Sequence, residues 1–311
     1  MNNITPESLS VLVKESLRAE GFGPVGIAPA MPHPEDAARI AAWVASGMNG
    51  SMSYLGQNSD KRADISTLLP GARSVIVAAL SYNNEDIPES DNRYFISRYA
   101  RGKDYHIVIK EKLHRVLSVI TSAIPDTRGR VFVDSAPLTE KSWAIHAGIG
   151  WRGRHSVIVN KEIGSFFFLG EIVTTAPLEY DEPFVQDHCG SCRCCIDACP
   201  TGAINSNRTI NATKCISYCT IEKPAEEVDY PGNSIYGCDR CQEVCPWNKK
   251  APHTGVSELF ATREIESLKC DDWESMSADR FDSIFAYSSI RRTGYEAMMR
   301  NVAMAKRNRS I

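Results

Sequence analysis

The stretch that decides the fold is "HCGSCRCCIDACPTGAI" (residues 188–204), which holds five cysteines within eleven positions. A second cysteine-rich stretch, "CDRCQEVCPWNKK" (residues 238–250), begins 39 residues after the last of them. All but one of the 11 cysteines lie between Cys189 and Cys245, and Cys270 is the exception. Disulfide frameworks are typical of small secreted domains, so in a chain of 311 residues this density of thiols indicates metal binding instead.

The first cysteine run has the spacing of a bacterial ferredoxin. Its members follow C-x2-C-x2-C-x3-C and are Cys189, Cys192, Cys195 and Cys199. Pro200 comes next, and Cys194 lies outside the register. In ferredoxins three thiolates of such a run bind one four-iron cluster and the fourth binds the neighbouring cluster. The alternative is a zinc site, but zinc sites use two CxxC pairs separated by a longer loop. The spacing therefore predicts iron–sulfur clusters.

The second run lacks one cysteine. It consists of Cys238, Cys241 and Cys245, and its register would place another cysteine where Ile235 stands. The missing thiolate must come from Cys215 or Cys219, and the spacing alone leaves this choice open. If the last cysteine of each run serves the other cluster, the first cluster is bound by Cys189, Cys192, Cys195 and Cys245. Cys199, Cys238, Cys241 and one of the two candidates then bind the second. Two adjacent clusters indicate electron transfer to something bound elsewhere in the chain.

Composition excludes several classes of protein. A net charge of −3 with 23% charged and 43% hydrophobic residues excludes global disorder and a bulk polycation. The N-terminal stretch has no basic region, no long apolar run and no twin arginine. The longest apolar stretch is interrupted by Glu171, so we expect no membrane span and a cytoplasmic protein.

The chain outside the cysteines mixes helices and strands. Apolar spacing predicts helices from about 6 to 20, 34 to 46 and 106 to 123, and buried strands at 74–80, in "GRVFV", "SVIVN" and "SFFFLGEIVTT". We therefore predict an α/β (α+β) domain over residues 1–180. Residues 181–255, rich in Cys, Pro, Gly and Asp, need a metal to fold, and residues 256–311 are helical.

Five long motifs resemble epoxyqueuosine reductases. They are "SRYARGKDYH" (97–106), "VDSAPLTEKSWAIHAGIGWRGRHSVIVN" (133–160), "GSFFFLGEIVTT" (164–175), "CISYCTIE" (215–222) and "GCDRCQEVCPWNK" (237–249). The resemblance implies a nitroreductase-like cobalamin-binding core, a ferredoxin-like domain with two [4Fe–4S] clusters, and a helical C-terminal segment. It implies reduction of the epoxide of epoxyqueuosine at the wobble position of tRNA, which gives queuosine. Many members continue into a helical-repeat tail, so the chain resembles a short member.

The resemblance also implies roles for particular residues. Asp134 would be the proton donor, at the end of a strand where catalytic groups of α/β folds often lie; the alternative is a helix N-cap. Cys215 rather than Cys219 would complete the second cluster. The residues implied to lie at the cobalamin are Ser97, Asp134, Ile158, Leu169 and Ser217. The cobalamin signature D-x-H-x-x-G is broken by Ile109, so we expect a base-off cobalamin without a histidine below the cobalt.

The implied substrate is RNA although the net charge is negative. Basic and aromatic residues alternate in "SRYARGKDYH", which makes Arg98, Arg101, Lys103 and Tyr105 candidates for tRNA binding. We expect a monomer served by an external electron donor. The alternatives are a corrinoid reductive dehalogenase, which would usually carry a twin-arginine signal, a ferredoxin-type electron carrier, and a zinc-dependent tRNA-binding module.

Overall fold

The computed structural model describes residues 4–84, 92–223 and 229–309. The α-helices are α1 (Pro6–Ala19), α2 (Pro34–Ala45), α3 (Ser59–Ala63), α4 (Tyr105–Ala123), α5 (Glu140–His146), α6 (Cys194–Asp197), α7 (Ile216–Ile221), α8 (Arg240–Glu243), α9 (Arg263–Ser267), α10 (Cys270–Glu274), α11 (Ala278–Ile284) and α12 (Tyr295–Arg309). The strands are β1 (Val25–Pro29), β2 (Ser74–Ser81), β3 (Phe95–Ile96), β4 (Gly129–Phe132), β5 (Trp151–Arg152), β6 (Ile158–Val159), β7 (Phe167–Thr174) and β8 (Ser234–Tyr236). Short 3-10 helices occupy Ser53–Gly56, Ile65–Thr67, Arg98–Ala100, Ala212–Lys214, Pro246–Asn248, Ser257–Leu259 and Ser289–Thr293.

An antiparallel sheet in the order β1-β2-β7-β4 forms the centre of the molecule. Both of its faces are apolar, because the central strands β2 and β7 are buried along nearly their whole length. Helices α1 and α4 cover one face, where Leu9 and Leu113 pack against Ile76. Helix α5 covers the other, where Trp143 packs with Val77. The chain is therefore a mixed α/β protein.

Gly170 allows α4 to lie directly on β7. A Cβ at this position would come within 2.6 Å of Ile109 Cγ2 and 2.9 Å of Leu113 Cδ1. Because protein interiors have no spare room, any side chain would push the helix away from the sheet. The close contact sets the N-terminal end of α4, where the Tyr105 ring stacks on Phe168 with centroids 4.1 Å apart.

The C-terminal helices form a second core together with parts of the N-terminal segment. Strand β3 pairs in parallel with β8, although these two segments are separated by about 140 positions. Tyr94 and Ile96 pack with Trp273, Phe285 and Met298 in this core. The predicted division at residues 180 and 255 remains a proposal about sequence segments, because contacts in this core cross both limits.

Several sequence expectations are confirmed by the secondary structure. Helix α1 begins at Pro6, with the Thr5 hydroxyl accepting the Ser8 backbone N–H at 3.2 Å. The predicted helices at 34–46 and 106–123 and the predicted strand at 74–80 correspond to α2, α4 and β2. Strands β1, β3 and β8 were not predicted, since their residues carry no alternating apolar pattern and distant partners hold them. No helix in the described parts of the chain is both long and apolar enough to cross a membrane.

Candidate active site

A cleft of about 480 Å³ is lined by residues from the sheet core and from the cysteine-rich segment. Tyr105, His106 and Asp134 line it from the core, and Cys215 and Ser217 line it from the cysteine-rich segment. The predicted proton donor and a predicted cluster ligand therefore share one cavity. Such a cavity can deliver both protons and electrons to a molecule bound in it.

Asp134 lies just beyond β4 and points into this cleft. Its backbone has a φ of 54°, in the left-handed region that few residues other than glycine adopt. The Tyr105 hydroxyl donates to Asp134 Oδ2 at 2.8 Å, and His106 Nε2 lies 3.4 Å from the same oxygen. Thr139 occupies the N-cap position of α5, so Asp134 is not the helix cap that the alternative interpretation required.

His106 is held between two carboxylates. Its Nδ1 lies 2.8 Å from Asp104 Oδ1, and its Nε2 faces Asp134. Burial opposes a charged imidazole, but the hydrogen bonds and charges of the two carboxylates raise the pKa of His106 to about 9. The hydrogen bond from His106 in turn lowers the pKa of Asp134, against the opposing effect of burial. At neutral pH the proton of this pair therefore lies on His106.

Two further carboxyl groups lie behind Asp134. Glu140 Oε1 accepts the backbone N–H of Asp134. Glu171, on the buried strand β7, has no hydrogen-bond partner for either carboxylate oxygen among the described residues. Burial, reinforced by the charge of Asp134, raises the pKa of Glu140 to about 8, and burial raises the pKa of Glu171 well above its usual value. Both groups thus carry protons at neutral pH.

Four of the cysteine thiols form a first group. Burial raises the pKa of Cys195 to about 11, and the nearby thiols that add to this effect are Cys245, Cys189 and Cys192. The Trp151 indole N–H points at Cys189 Sγ at 3.4 Å. Crowded thiolates repel one another unless a cation neutralises them, so this group, of which Cys195 and Cys245 are buried, fits a metal cluster.

A second group of thiols lies next to the cleft. Burial raises the pKa of Cys238 to about 12, with further contributions from Cys215 and Cys199. Cys241 is influenced by Cys238 and Cys215 in the same way. The Ala203 backbone N–H points at Cys199 Sγ at 3.3 Å, a contact typical of iron–sulfur ligands. The two groups coincide with the two predicted ligand sets, which remain predictions.

The other cysteines lie in different surroundings. Cys194 is exposed, with its sulfur 3.6 Å from Cys192 Sγ. Cys219 is buried against Tyr218, and Cys270 is buried in the C-terminal core. That none of the three is a cluster ligand stays a prediction.

The predicted cobalamin residues are not all at the cleft. Ser217 lines it, as does Asp134. Ser97 is 2% exposed and donates to Asp239 Oδ1 at 2.6 Å, and Ile158 and Leu169 lie in the core beneath α5. A contact between the cofactor and these three residues stays a prediction.

Two of the predicted tRNA-binding residues are inside the protein. Arg98 and Arg101 are 9% and 6% exposed. Arg98 donates to the Asn84 carbonyl at 3.0 Å, and Arg101 donates to the Ile96 carbonyl at 2.9 Å. The expectation that they contact phosphates is contradicted, because both guanidinium groups lie in the interior and bind the backbone there.

Lys103 and Tyr105, the other two candidates for tRNA binding, are accessible to a ligand. Lys103 has a side chain 36% exposed, 3.7 Å from Glu111. Tyr105 lines the cleft, where an unstacked base could reach it.

A cluster of possible metal ligands away from the cleft has a structural explanation. His33, Glu35, Asp36 and His146 bring ligand atoms within 4.8 Å of one another. The two imidazole rings, however, are stacked 3.8 Å apart and nearly parallel, so their nitrogen lone pairs do not converge. Asp36 already accepts from His146 at 2.8 Å and lies 3.4 Å from Arg39. The cluster therefore ties α2 to α5.

Sequence reasoning missed His106, Glu140 and Glu171. Glu171 had the clearest signal, since it is a lone acid in an apolar strand, where burying an unpaired charge is costly. His106 directly follows Tyr105 at the start of a helix, but nothing in the sequence shows that this N-terminal end of the helix lies beside Asp134. Glu140 stands within a quoted motif, and only the loop geometry reveals its contact.

Comparison with known proteins agrees with this site. The family model described as "Epoxyqueuosine reductase QueG, DUF1730" matches residues 62–135, and that described as "4Fe-4S double cluster binding domain" matches residues 188–248. A structure of epoxyqueuosine reductase with a tRNA-Tyr epoxyqueuosine-modified stem loop has a TM-score of 0.88 at 31% identity and covers 97% of this chain and 81% of that chain. A Bacillus subtilis epoxyqueuosine reductase, with its catalytic aspartate loop swung out of the active site, has a TM-score of 0.86 at 30% identity and covers 97% and 82%.

More distant structures share only the fold. A catabolic reductive dehalogenase has a TM-score of 0.52 at 17% identity and covers 98% of this chain and 37% of that chain. The epoxyqueuosine reductase of Cyclobacterium marinum, by contrast, is 41% identical over 312 residues, which cover 98% of this chain and 99% of that protein. On this near full-length similarity, the chain belongs to the epoxyqueuosine reductase family.

Proposed function

We propose that this chain reduces the epoxide of epoxyqueuosine at the wobble position of tRNA to give queuosine. Electrons pass through two [4Fe–4S] clusters to a cobalamin. The observation that carries the proposal is the shared cleft, in which Asp134 lies with Cys215 of the second thiol group. The reaction needs two electrons and two protons, and the epoxide oxygen leaves as water. An external donor must return the electrons to the clusters.

The residues around the cleft fit a polar, amide-rich cofactor. Ser289 lines the cleft, and its Oγ is buried without a hydrogen-bond partner among the described residues. Cobalamin, when bound, supplies the low-valent cobalt that drives C–O cleavage. Both ring nitrogens of His106 face carboxylates, so this histidine would not be available as a ligand of the cofactor's metal. Ser217 and Asp134, which line the cleft, would lie beside the cofactor, and its base-off state stays a prediction.

Asp134 delivers a proton to the leaving oxygen in this proposal. Its carboxylate is ionised at neutral pH, so the proton must come from His106, the adjacent imidazolium. A general acid at this position lowers the barrier because an alkoxide is a poor leaving group, typically by about 10²–10⁴-fold in rate. Tyr105 keeps the carboxylate oriented toward the cleft.

The substrate is a tRNA with a queuosine-type anticodon loop. A family member has been solved with such a modified stem loop. Lys103 and Tyr105 are the residues of the original candidate set that we propose for contact with it. Because the substrate is tRNA, we place the reaction in the cytoplasm. The relation to reductive dehalogenases is one of fold alone, so tRNA is favoured over halogenated substrates.

Anaerobic turnover tests the proposal directly. Protein loaded with iron, sulfide and cobalamin is incubated with a chemical reductant and a tRNA stem loop that carries epoxyqueuosine. Nucleoside mass spectrometry should show loss of one oxygen, with queuosine as the product. Protein without cobalamin serves as the control. A fully loaded protein that leaves epoxyqueuosine unchanged would refute the proposed function.

A further inference from the structure

Glu140 has no role in proton or electron delivery as proposed above, yet it contacts the loop that presents Asp134. We propose that Glu140 is a positioning residue that holds the Asp134 loop (residues 134–138) at the cleft by accepting the backbone N–H of Asp134. The consequence for turnover rests on the proposed function, whereas the effect on the loop itself does not.

The backbone of the loop needs such a tie. A φ of 54° at Asp134 is less favourable than ordinary backbone even for aspartate, one of the few residues with a side chain that tolerate it, so a surrounding contact helps to hold it. The other backbone hydrogen bonds described for the loop are local, from Ser135 N to Val133 O and from Leu138 N to Ala136 O. These bonds close small turns and do not fix the loop to the rest of the protein. The side chain of Glu140, on the adjacent helix α5, supplies such a contact by accepting the backbone N–H of Asp134.

The tie to Glu140 differs from the other contacts of Asp134. Tyr105 and His106 both bind Asp134 Oδ2, the group that gains and loses the proton during the proposed reaction. Those contacts must weaken or reorganise in each turnover. The backbone N–H keeps its proton throughout, so the bond to Glu140 can persist when the carboxylate contacts change.

Glu140 is itself anchored on a rigid element. It is the first residue of α5, which packs on the sheet through Trp143, a side chain that is 3% exposed. A supporting group on a packed helix holds its partner more firmly than one on a loop. Because Glu140 carries a proton at neutral pH, its acceptor is the carbonyl oxygen of a neutral carboxyl group. Glutamine offers an acceptor of the same shape at the same place.

The experiment compares four variants of the fully loaded protein under anaerobic conditions. Glu140→Ala and Glu140→Leu remove the acceptor, and the leucine retains most of the volume in case alanine impairs folding. Glu140→Gln retains the acceptor. Asp181→Ala is the matched control, because Asp181 Oδ2 likewise accepts a backbone N–H, that of Ile27 at 2.8 Å, and neither residue lines the cleft. Hydrogen exchange followed by mass spectrometry reports on peptides that contain residues 134–138, in the absence of tRNA.

Loss of the acceptor should speed exchange in the loop by about tenfold or more, since a hydrogen bond of ordinary strength is removed. With the tRNA substrate, kcat should fall by about tenfold while KM stays within twofold. Glu140→Gln should match wild type in both measurements, and Asp181→Ala should leave the exchange of the loop unchanged.

Wild-type exchange in both Glu140→Ala and Glu140→Leu would overturn the proposal. So would a Glu140→Gln protein that protects the loop but loses turnover, since the proton of Glu140 rather than its acceptor would then matter. A further outcome is that hydrogen exchange in the loop changes as proposed while neither wild type nor any variant reduces epoxyqueuosine. In that case the positioning role of Glu140 stands and the proposed function fails.

Discussion

At the scale of single residues, the site depends on how a proton is shared. The hydrogen bond from His106 lowers the pKa of Asp134, so its carboxylate is ionised at neutral pH and holds no proton of its own to donate. Protonated His106 allows Asp134 to act as a donor nevertheless. Its proton lies one hydrogen bond from the Asp134 carboxylate and can pass through it as negative charge develops on the leaving oxygen. Two acids behind the loop, the half-buried Glu140 and the buried Glu171, remain neutral and do not compete for this cation.

Asp134→Asn should abolish proton delivery without disturbing the fold. Asparagine retains size and polarity and also tolerates the left-handed backbone that Asp134 adopts. Iron and cobalamin should load normally, while turnover of epoxyqueuosine should fall by at least about a hundredfold, the lower end of a general-acid contribution. Anaerobic single-turnover assays measure the effect, and a fully loaded variant with near wild-type turnover would remove Asp134 from the mechanism.

Replacing His106 with glutamine should change the way in which the thermal stability of the protein depends on pH. A histidine whose pKa is raised from about 6.5 in the unfolded chain to about 9 in the folded protein contributes stability that is complete below pH 6.5. This contribution disappears as the pH rises through 9. The melting temperature of wild type should therefore exceed that of the variant most at pH 6, and the gap should close by pH 10.

Scanning fluorimetry under anaerobic conditions can follow this gap. His114→Gln, on the exposed side of the same helix, is the matched control for the loss of an imidazole that contacts no carboxylate among the described residues. A gap for His106→Gln that is constant from pH 6 to pH 10 would mean that the imidazole is not charged in the folded protein.

At the scale of elements, α12 fastens the cysteine-rich segment to the rest of the molecule. Asn301 is fully buried and donates to the carbonyls of Thr220 and Ile235, both at 2.8 Å. One of these carbonyls belongs to α7, the helix that follows Cys215, and the other belongs to β8, which precedes Cys238. A single side chain therefore fixes the spacing of two predicted ligands of the second cluster.

Asn301→Ala should destabilise the protein and weaken the hold on the second cluster. Two buried carbonyls would lose their donors, which costs about 2–3 kcal/mol. We expect a lower melting temperature and faster release of iron to a chelator. Asn308→Ala is the matched control, since Asn308 makes two similar bonds, to Tyr230 and Gly232, in a more exposed place where water can replace them. Equal effects in the two variants would contradict the special role assigned to Asn301 in holding the second cluster.

At the scale of the whole molecule, the fold brings three distant parts of the chain to one cleft. The sheet core supplies Asp134, the cysteine-rich segment supplies Cys215 and the C-terminal segment supplies Arg292. The second thiol group borders the cleft, whereas the first includes Cys189 beside Trp151. Electrons are thus expected to enter through the first cluster and leave through the second.

The iron content of cysteine variants tests the assignment of ligands to the two clusters. Two four-iron clusters require about eight irons per chain in reconstituted protein. Cys215→Ser should lose about half of this iron, because one ligand set becomes incomplete. Cys194→Ser, Cys219→Ser and Cys270→Ser are controls that should retain all of it. If Cys219→Ser lost half of the iron and Cys215→Ser did not, the assignment of the second ligand set would be wrong.

The sequence by itself determined the parts that depend on local spacing. Three cysteine intervals followed by proline were enough to predict iron–sulfur clusters, because cluster ligands of one run are set by short-range chain geometry. Apolar periodicity likewise predicted α1, α4 and β2, whose amphipathic or continuous patterns reflect the surfaces that they bury. The long motifs added the family and, with it, the expected role of Asp134.

Only the tertiary structure decided which residues meet. Arg98 and Arg101 looked like phosphate ligands from their charge, yet they are buried because nearby backbone carbonyls need donors. His106, Glu140 and Glu171 gained their relation to Asp134 from the way α4 and α5 pack on the sheet, and β3 gained its partner β8 from a distant segment. Contacts between residues far apart in sequence leave no local pattern, so the chemistry of the cleft could be located only after the chain was folded.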